Sequence, residues 1–330
     1  MAKRREIVLT GLVGSSPLGA LAAFGLLRAC SEIPELSEPR LHWRMEDDWM
    51  AVLSVASIID ESALLNHLEI RQRALNLDVF SWSEDIRVEP DKYRVRLIQH
   101  GKAATSHDRL SADYYAAFGS DTATDGSKGL VKPTAFHMTS GQQKFLKNVR
   151  ELGESLSDGC DEALKEALFG PWKYEDRYHS LGWDPMTERL HALRHCAPTS
   201  EVPRSVRAGV WFAVESLPLF PTARATKRLA TTGFTRRNGN TRLIWPIWTK
   251  AIGLNTLRTL LASSELFEPK DRTPSECEGW LLSMNRSDRI SAKVMRFFVR
   301  PLSPGVPLSR KYKWKLKPSQ SPHYFRAHAC

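Results

Sequence analysis

The chain has 330 residues, 42% hydrophobic and 25% charged, enough to bury one large core or two smaller ones and unlike a disordered chain. Its five cysteines, Cys30, Cys160, Cys196, Cys277 and Cys330, are scattered, odd in number and without a CxxC pair, which argues for reduced thiols in a cytoplasmic setting over a disulfide framework or zinc module. The net charge of +10 is segregated: residues 1–165 hold 20 Lys/Arg against 24 Asp/Glu, and residues 166–330 hold 27 against 13. From Arg286 onward there are 11 basic residues and one acid, Asp288.

Ile7, Val8 and Leu9 read as a short buried strand, followed by a Gly- and Ser-rich turn. Pro17 sits where a first helical residue can lack its N–H, with Ser16 as cap, so a helix is expected from Pro17 to about Ala29. Its body is apolar on every face until Arg28, which suits a core or a bilayer. Lys3, Arg4 and Arg5 before an uncharged run to Leu27 resemble a targeting segment, and Leu27-Arg28-Ala29-Cys30 resembles a lipoprotein cleavage site. Gly11, Gly14, Ser15, Ser16 and Pro17 break that run, however, leaving about ten continuous apolar residues, a length that suits a core helix. A lipid-anchored envelope protein is therefore the weaker reading of this end.

Arg40–Arg44 alternates as a strand after Pro39. Helices are expected at about Trp49–Ile59 and Ser62–Leu75, the latter with Glu61, Glu69, Arg71 and Arg73 on its outer face. Tyr93, Val95 and Leu97 suggest another strand, and Asp121–Pro133 an exposed polar loop carrying Lys128 and Lys132. A helix begins at Thr139-Ser140-Gly141 and runs to about Ser157, and a shorter one spans Cys160–Phe169 up to Gly170-Pro171. Trp183-Asp184-Pro185 signals a turn before a strand-like Arg189–Arg194, and Arg204–Leu217 reads as a helix stopped by Pro218 and Pro221.

The plainest β pattern is Thr232–Arg236 and Thr241–Trp245 around Arg237-Asn238-Gly239-Asn240, a hairpin with Asn-Gly at its turn. Helices at Leu254–Ala262 and around Ser275–Ser283, a strand at about Ser291–Val299, and an extended arm beyond Pro301 complete the chain. The expected class is α+β: a mixed N-terminal strand-turn-helix domain (1–130), a central, mainly helical part (131–222), and a basic C-terminal hairpin and helix part with an extended tail (223–330).

No catalytic constellation emerges. The glycines at 11, 14 and 19 match neither a P-loop nor the dinucleotide fingerprint, so core packing accounts for them better, and no cofactor is expected. His107-Asp108 lacks the further ligands of a metal-dependent phosphohydrolase. His191 and His195 stand four apart beside Cys196, without the glutamate of an HExxH site and in a strand-like stretch. A metal-dependent nuclease built on His107, Asp108 and His191 or His195 is the enzymatic alternative.

The basic residues carry more. Lys and Arg contacts to phosphates supply most sequence-independent nucleic-acid affinity. Arg236, Arg237, Asn238, Asn240 and Arg242 give one hairpin the donors to grip phosphates or base edges, although a well-formed Asn-Gly hairpin with merely solvated arginines has the same sequence. Arg286, Arg289, Arg296, Arg300, Arg310, Lys311, Lys313, Lys315 and Lys317 are interleaved with Phe297, Phe298, Tyr312, Trp314, Tyr324 and Phe325, a pattern that serves backbone contact and base stacking or an ordinary core.

In this order, LTGLVGSSPLGALAAFGLLRA, PRLHW, HMTSGQQKFLKNVREL, SLGWDPMTERLHALR, AGVWFAVESLPLFP and TRLIWPIW, spanning about residues 7–262, resemble proteins of type I CRISPR effector loci of the G subtype (formerly U). The likeness is to their large-subunit-like proteins and to the family described as an extension of the helicase-nuclease. It rests on Gly, Pro, Trp and apolar residues and identifies no active-site residue. The resemblance implies a non-catalytic, cytoplasmic subunit of an RNA-guided surveillance complex with no membrane partner. Such a subunit contacts crRNA and target double-stranded DNA, inspects the protospacer-adjacent motif, holds the displaced strand, and meets other CRISPR effector subunits and the helicase-nuclease. At 330 residues the chain is small for that role, which puts its C-terminal helical bundle in doubt.

Overall fold

The computed structural model describes residues 4–105, 108–126, 128–138, 144–157, 159–184, 204–226, 228–237, 240–263, 278–281 and 290–299. The architecture is mixed α+β, with helices packed among small antiparallel sheets.

At its centre, strand β1 (Arg5–Val13) turns into helix α1 (Pro17–Cys30), whose fourteen residues are all buried. Ser16 caps α1 by accepting from the Gly19 N–H, and Pro17 occupies the first turn, where a missing N–H costs nothing. β1 pairs with β3 (Trp49–Val55), which pairs in turn with β2 (Arg40–Met45), giving an antiparallel sheet of order β1-β3-β2. Trp49–Val55 is therefore a strand, not the expected helix. Its last five residues are all buried, so both faces are covered and the sequence loses the period-two signal of a half-exposed strand.

Helices α2 (Glu61–Ala74), α3 (Pro90–Ala103) and α4 (Leu110–Phe118) follow. The strand expected through Tyr93–Leu97 is instead part of α3. Pro90 starts the helix, and Tyr93 and His100, seven apart on one helical face, lie against Tyr115 with ring centroids at 6.2 and 4.7 Å. The loop expected at 121–133 holds a hairpin, β4 (Gly119–Thr124) with β5 (Val131–Pro133). Helices α5 (Phe145–Glu154), α6 (Asp161–Phe169) and α7 (Arg207–Glu215) pack behind, and Gly170-Pro171 is a cis peptide.

Two further hairpins, β6 (Thr222–Ala225) with β7 (Arg228–Thr231) and β8 (Phe234–Arg237) with β9 (Asn240–Trp248), lead to helix α8 (Leu254–Ala262). β10 (Glu278–Leu281) and β11 (Ile290–Val299) extend the last sheet in the order β10-β11-β9-β8. Residues 278–281 are thus strand where a helix was expected. The two larger sheets are joined through tryptophans: Trp245 Nε1–H donates to the Gly14 carbonyl and Trp248 Nε1–H to that of Leu41. Phe24 stacks on Trp248 at 5.8 Å, with Trp43 edge-on to both. One hydrophobic cluster draws on residues from Ile7 to Leu261, across all three of the segments marked out in the sequence.

Where α1 crosses α7, Gly25 lets the backbones touch, since a Cβ there would overlap the Phe212 carbonyl. Beside that crossing lies a buried ion network. Glu215, fully buried, accepts a two-pronged contact from Arg71 at 3.0 and 3.2 Å and also pairs with Arg28. Glu32 closes the network on both arginines. Arg71, expected on the outer face of α2, points into this network because the Glu215 carboxylate needs a second partner away from water. Burial lowers the pKa of the Arg28 guanidinium.

Candidate nucleic-acid interface

The bases of three hairpins are tied together by hydrogen bonds between distant parts of the chain. Thr222 Oγ1, at the foot of β6, donates to the carbonyls of Ala116 and Gly119 at 2.9 and 2.8 Å, which fixes the β6–β7 hairpin to the start of β4. At the foot of β7, Thr231 Oγ1 accepts from the Ala135 N–H at 3.0 Å, just beyond β5. β7 then passes through Gly233 into β8, whose Phe234 ring stands edge-on to Phe136 at 4.7 Å. Gly233 has φ of +82° and lies against the Phe220 ring, so the corner requires glycine.

These hairpins carry exposed cations. Lys128 lies in the turn of the β4–β5 hairpin, ordered by the Asp125 carboxylate accepting from the Lys128 N–H at 2.7 Å, and Lys132 lies on β5. Arg224 and Arg228 project from the β6–β7 hairpin, and Arg236 from β8. Among the described residues none of these five has an acidic partner. In the first third of the chain Arg4, Arg40, Arg44, Arg73 and Arg94 reach carboxylates, whereas Arg5, Lys92 and Lys102 are exposed and, among the described residues, also have no acidic partner.

The residues singled out in the Asn-Gly hairpin do not form one cluster. The ladder sets Arg236 opposite Thr241 and Arg242 opposite Thr235, so Arg236 and Arg242 alternate between the two sides of the sheet. Arg236 is exposed and Arg242 half-buried. Arg237 stands opposite Asn240, and Arg296 opposite Ile244 in the next ladder. Asn238, Arg286, Arg289, Arg300, Arg310, Lys311, Lys313, Lys315 and Lys317 lie outside the described residues. Arg224 and Arg228 were missed by the sequence reading. Their signal is the alternation of small and basic residues in Thr222-Ala-Arg-Ala-Thr-Lys-Arg-Leu-Ala-Thr231, bounded by Pro221 and Gly233.

His107, His191, His195 and Cys196 also lie outside the described residues, and Asp108 is an exposed loop residue whose N–H donates to Thr105 Oγ1. No group of three or more His, Cys, Asp or Glu able to hold a metal occurs among the described residues. The Cys30 and Cys160 thiols are buried, and burial pushes the first up to about 12 and raises the second. A cleft of about 430 Å³ lies between the β1–α1 turn and Phe169–Tyr174. Its tyrosine hydroxyl, Tyr174, is held protonated by burial and by Asp184, which suits packing better than acid–base work.

Among the described residues the closest acid–imidazole pair is Asp85 and His137. His137 Nε2 lies 2.7 Å from Asp85 Oδ1, Arg87 Nη2 lies 3.3 Å from Nδ1, and the imidazole stacks on Phe145. Burial opposes ionisation of Asp85, but the hydrogen bond and charge of His137 outweigh it and hold the carboxyl below its usual range. The His137 side chain is wholly buried, and that of Asp85 is 13% exposed. No helix among the described residues is long and apolar enough to cross a membrane. No family model, curated protein or solved structure matches the chain.

Proposed function

We propose that this protein is a non-catalytic nucleic-acid-binding subunit that grips phosphate backbone with the cations of its hairpins and of its basic C-terminal stretch. The observation that carries this reading is the gathering of cations on hairpins pinned to one another: Lys128, Lys132, Arg224, Arg228 and Arg236 are exposed and, among the described residues, without acidic partners. Leaving cations unpaired on ordered backbone does little for folding and prepares a surface for a polyanion. The large excess of Lys and Arg after residue 285 adds to the same side of the balance.

The resemblance of the ordered motifs to type I-G CRISPR proteins gives the reading its finer form. In that form the protein is a large-subunit-like component of an RNA-guided surveillance complex that contacts crRNA and target DNA and helps recruit the helicase-nuclease. Base pairing then reads the sequence, and the protein contributes backbone contacts and a short motif.

The experiment is co-purification of the tagged full chain from its native host, with sequencing of bound RNA and mass spectrometry of bound proteins. Small RNA of uniform length together with the products of neighbouring genes is the expected result. Recovery of the protein free of nucleic acid, and without salt-sensitive affinity for any, overturns the reading.

A further inference from the structure

We propose that the β6–β7 hairpin is a groove-inserting ribbon that binds B-form duplex DNA through the major groove, with Arg228 on its exposed face as the groove contact and Arg224, exposed on the opposite face, Lys128 and Lys132 on the flanking phosphates. This rests on the nucleic-acid reading above and names the form of nucleic acid and the element that meets it.

The argument begins with charge. Four cations from two hairpins about a hundred residues apart in sequence share one support, because Thr222 and Thr231 bind the β6–β7 feet to Gly119 and Ala135. Of the acids on the β4–β5 hairpin, Asp121 pairs with Arg94 at 2.7 Å, and the Asp125 carboxylate accepts from the Lys128 N–H.

Shape narrows the partner. The register pairs Thr222 with Thr231, Ala223 with Ala230, Arg224 with Leu229, and Ala225 with Arg228. Alternation therefore places Thr222, Arg224, Leu229 and Thr231 on one face and Ala223, Ala225, Arg228 and Ala230 on the other. On the first face Thr231 is buried and Thr222 and Leu229 are half-buried, so this side rests on the protein. On the second every residue is exposed. Two strands about 4.8 Å apart and about 13 Å long, with nothing larger than a methyl beside the one arginine, fit the major groove of B-DNA, which is about 12 Å wide and admits a two-stranded ribbon. The deep, narrow major groove of A-form RNA does not admit one.

At the tip, Thr226 has φ of +49°, a left-handed conformation that β-branched residues avoid, and no glycine or asparagine relieves it. The Arg224 Nε–H donates to the Thr226 carbonyl at 3.1 Å, so the turn holds the guanidinium at the end of the ribbon. The Ala225–Arg228 pair closes on a two-residue loop, whose favoured turns take φ above zero, so the hairpin itself accounts for the Thr226 conformation and Arg224 braces it.

The test is fluorescence anisotropy of the full chain against a DNA duplex, an RNA duplex of the same sequence and the DNA single strand. Three proteins are compared: wild type, Arg224→Ala/Arg228→Ala, and Ala223→Leu/Ala230→Leu, each checked by circular dichroism for unchanged folding. All four positions are exposed, so neither variant removes a core contact. Wild type is expected to prefer the DNA duplex over the RNA duplex by at least about tenfold, and both variants to lose about tenfold on the DNA duplex with little change on the single strand. The leucine variant keeps every charge, so its loss separates groove entry from general attraction. Methyl green, a major-groove ligand, should compete, and netropsin, a minor-groove ligand, should not. Equal losses on all three nucleic acids, unchanged duplex affinity in either variant, or competition by netropsin alone overturn the ribbon while the broader reading stands. Failure of the wild type to bind any nucleic acid overturns both.

Discussion

At the scale of single residues, the fold depends on a few positions whose substitution has a calculable direction. Glu215 is fully buried between Arg28 and Arg71, and Glu215→Ala would leave two guanidinium groups facing one remaining partner, Glu32. Breaking a buried pair from one side costs about 3–5 kcal/mol, so the urea midpoint should fall steeply. Gly25→Ala forces a methyl into the Phe212 carbonyl and should cost about 3 kcal/mol by the same measurement, because neither helix can retreat without opening the core around Phe24 and Trp248. Asp85 adds a pH signature. Its folded pKa lies below the ordinary value of 3.8, so its contribution is present above that value and is lost as pH falls through the folded pKa. Asp85→Ala should therefore lower stability at pH 7 by about 1–3 kcal/mol, with the gap to wild type closing in unfolding curves taken below pH 3.8.

At the scale of elements, charge reversal tests the Asn-Gly hairpin. Arg236, Arg237 and Arg242 changed together to Glu should weaken DNA binding and flatten its dependence on salt, whereas unchanged affinity and slope would remove this hairpin from the interface. Because Arg236 and Arg242 alternate across the ladder, the exposed Arg236 should account for more of the loss than the half-buried Arg242 when each is changed singly. The hairpin itself was legible from its Asn-Gly turn, as was α1 from its Ser-Pro start, and α8 was expected over the residues it occupies. Other elements were not, for identifiable reasons. Trp49–Val55 is covered on both faces, so its unbroken apolar run reads equally well as a helix. In α3 the alternation of Tyr93, Val95 and Leu97 imitates a strand, and the deciding contact, with Tyr115, lies in another helix. Lys128, Lys132 and Arg236 were visible as basic residues in turns. Their company with Arg224 and Arg228 was not, since it depends on bonds such as Thr222 to Gly119 that join residues far apart in sequence. The ribbon is also too short and too rich in alanine to announce itself as a pair of strands.

At the scale of the whole molecule, an inner body knit by Phe24, Trp43, Trp248 and the Glu215 network supports hairpins that carry unpaired positive charge. Three of the five hairpin cations, Arg224, Arg228 and Arg236, lie in the half of the sequence where bases prevail, and Lys128 and Lys132 in the half where acids do. Glu6 and Glu69 are paired with Arg44 and Arg73, and on the hairpins Asp121 is paired with Arg94. Counterion release then makes affinity a steep function of ionic strength, with a slope of about −0.9 per phosphate contacted on B-DNA. The most direct measurement is the affinity of the full chain for a DNA duplex across about 50 to 200 mM salt, with divalent metal present and the DNA analysed for strand breaks afterwards. A log–log slope of about −4 or steeper with intact DNA is the predicted result. A slope near zero, or metal-dependent cleavage by the protein alone, would contradict the account.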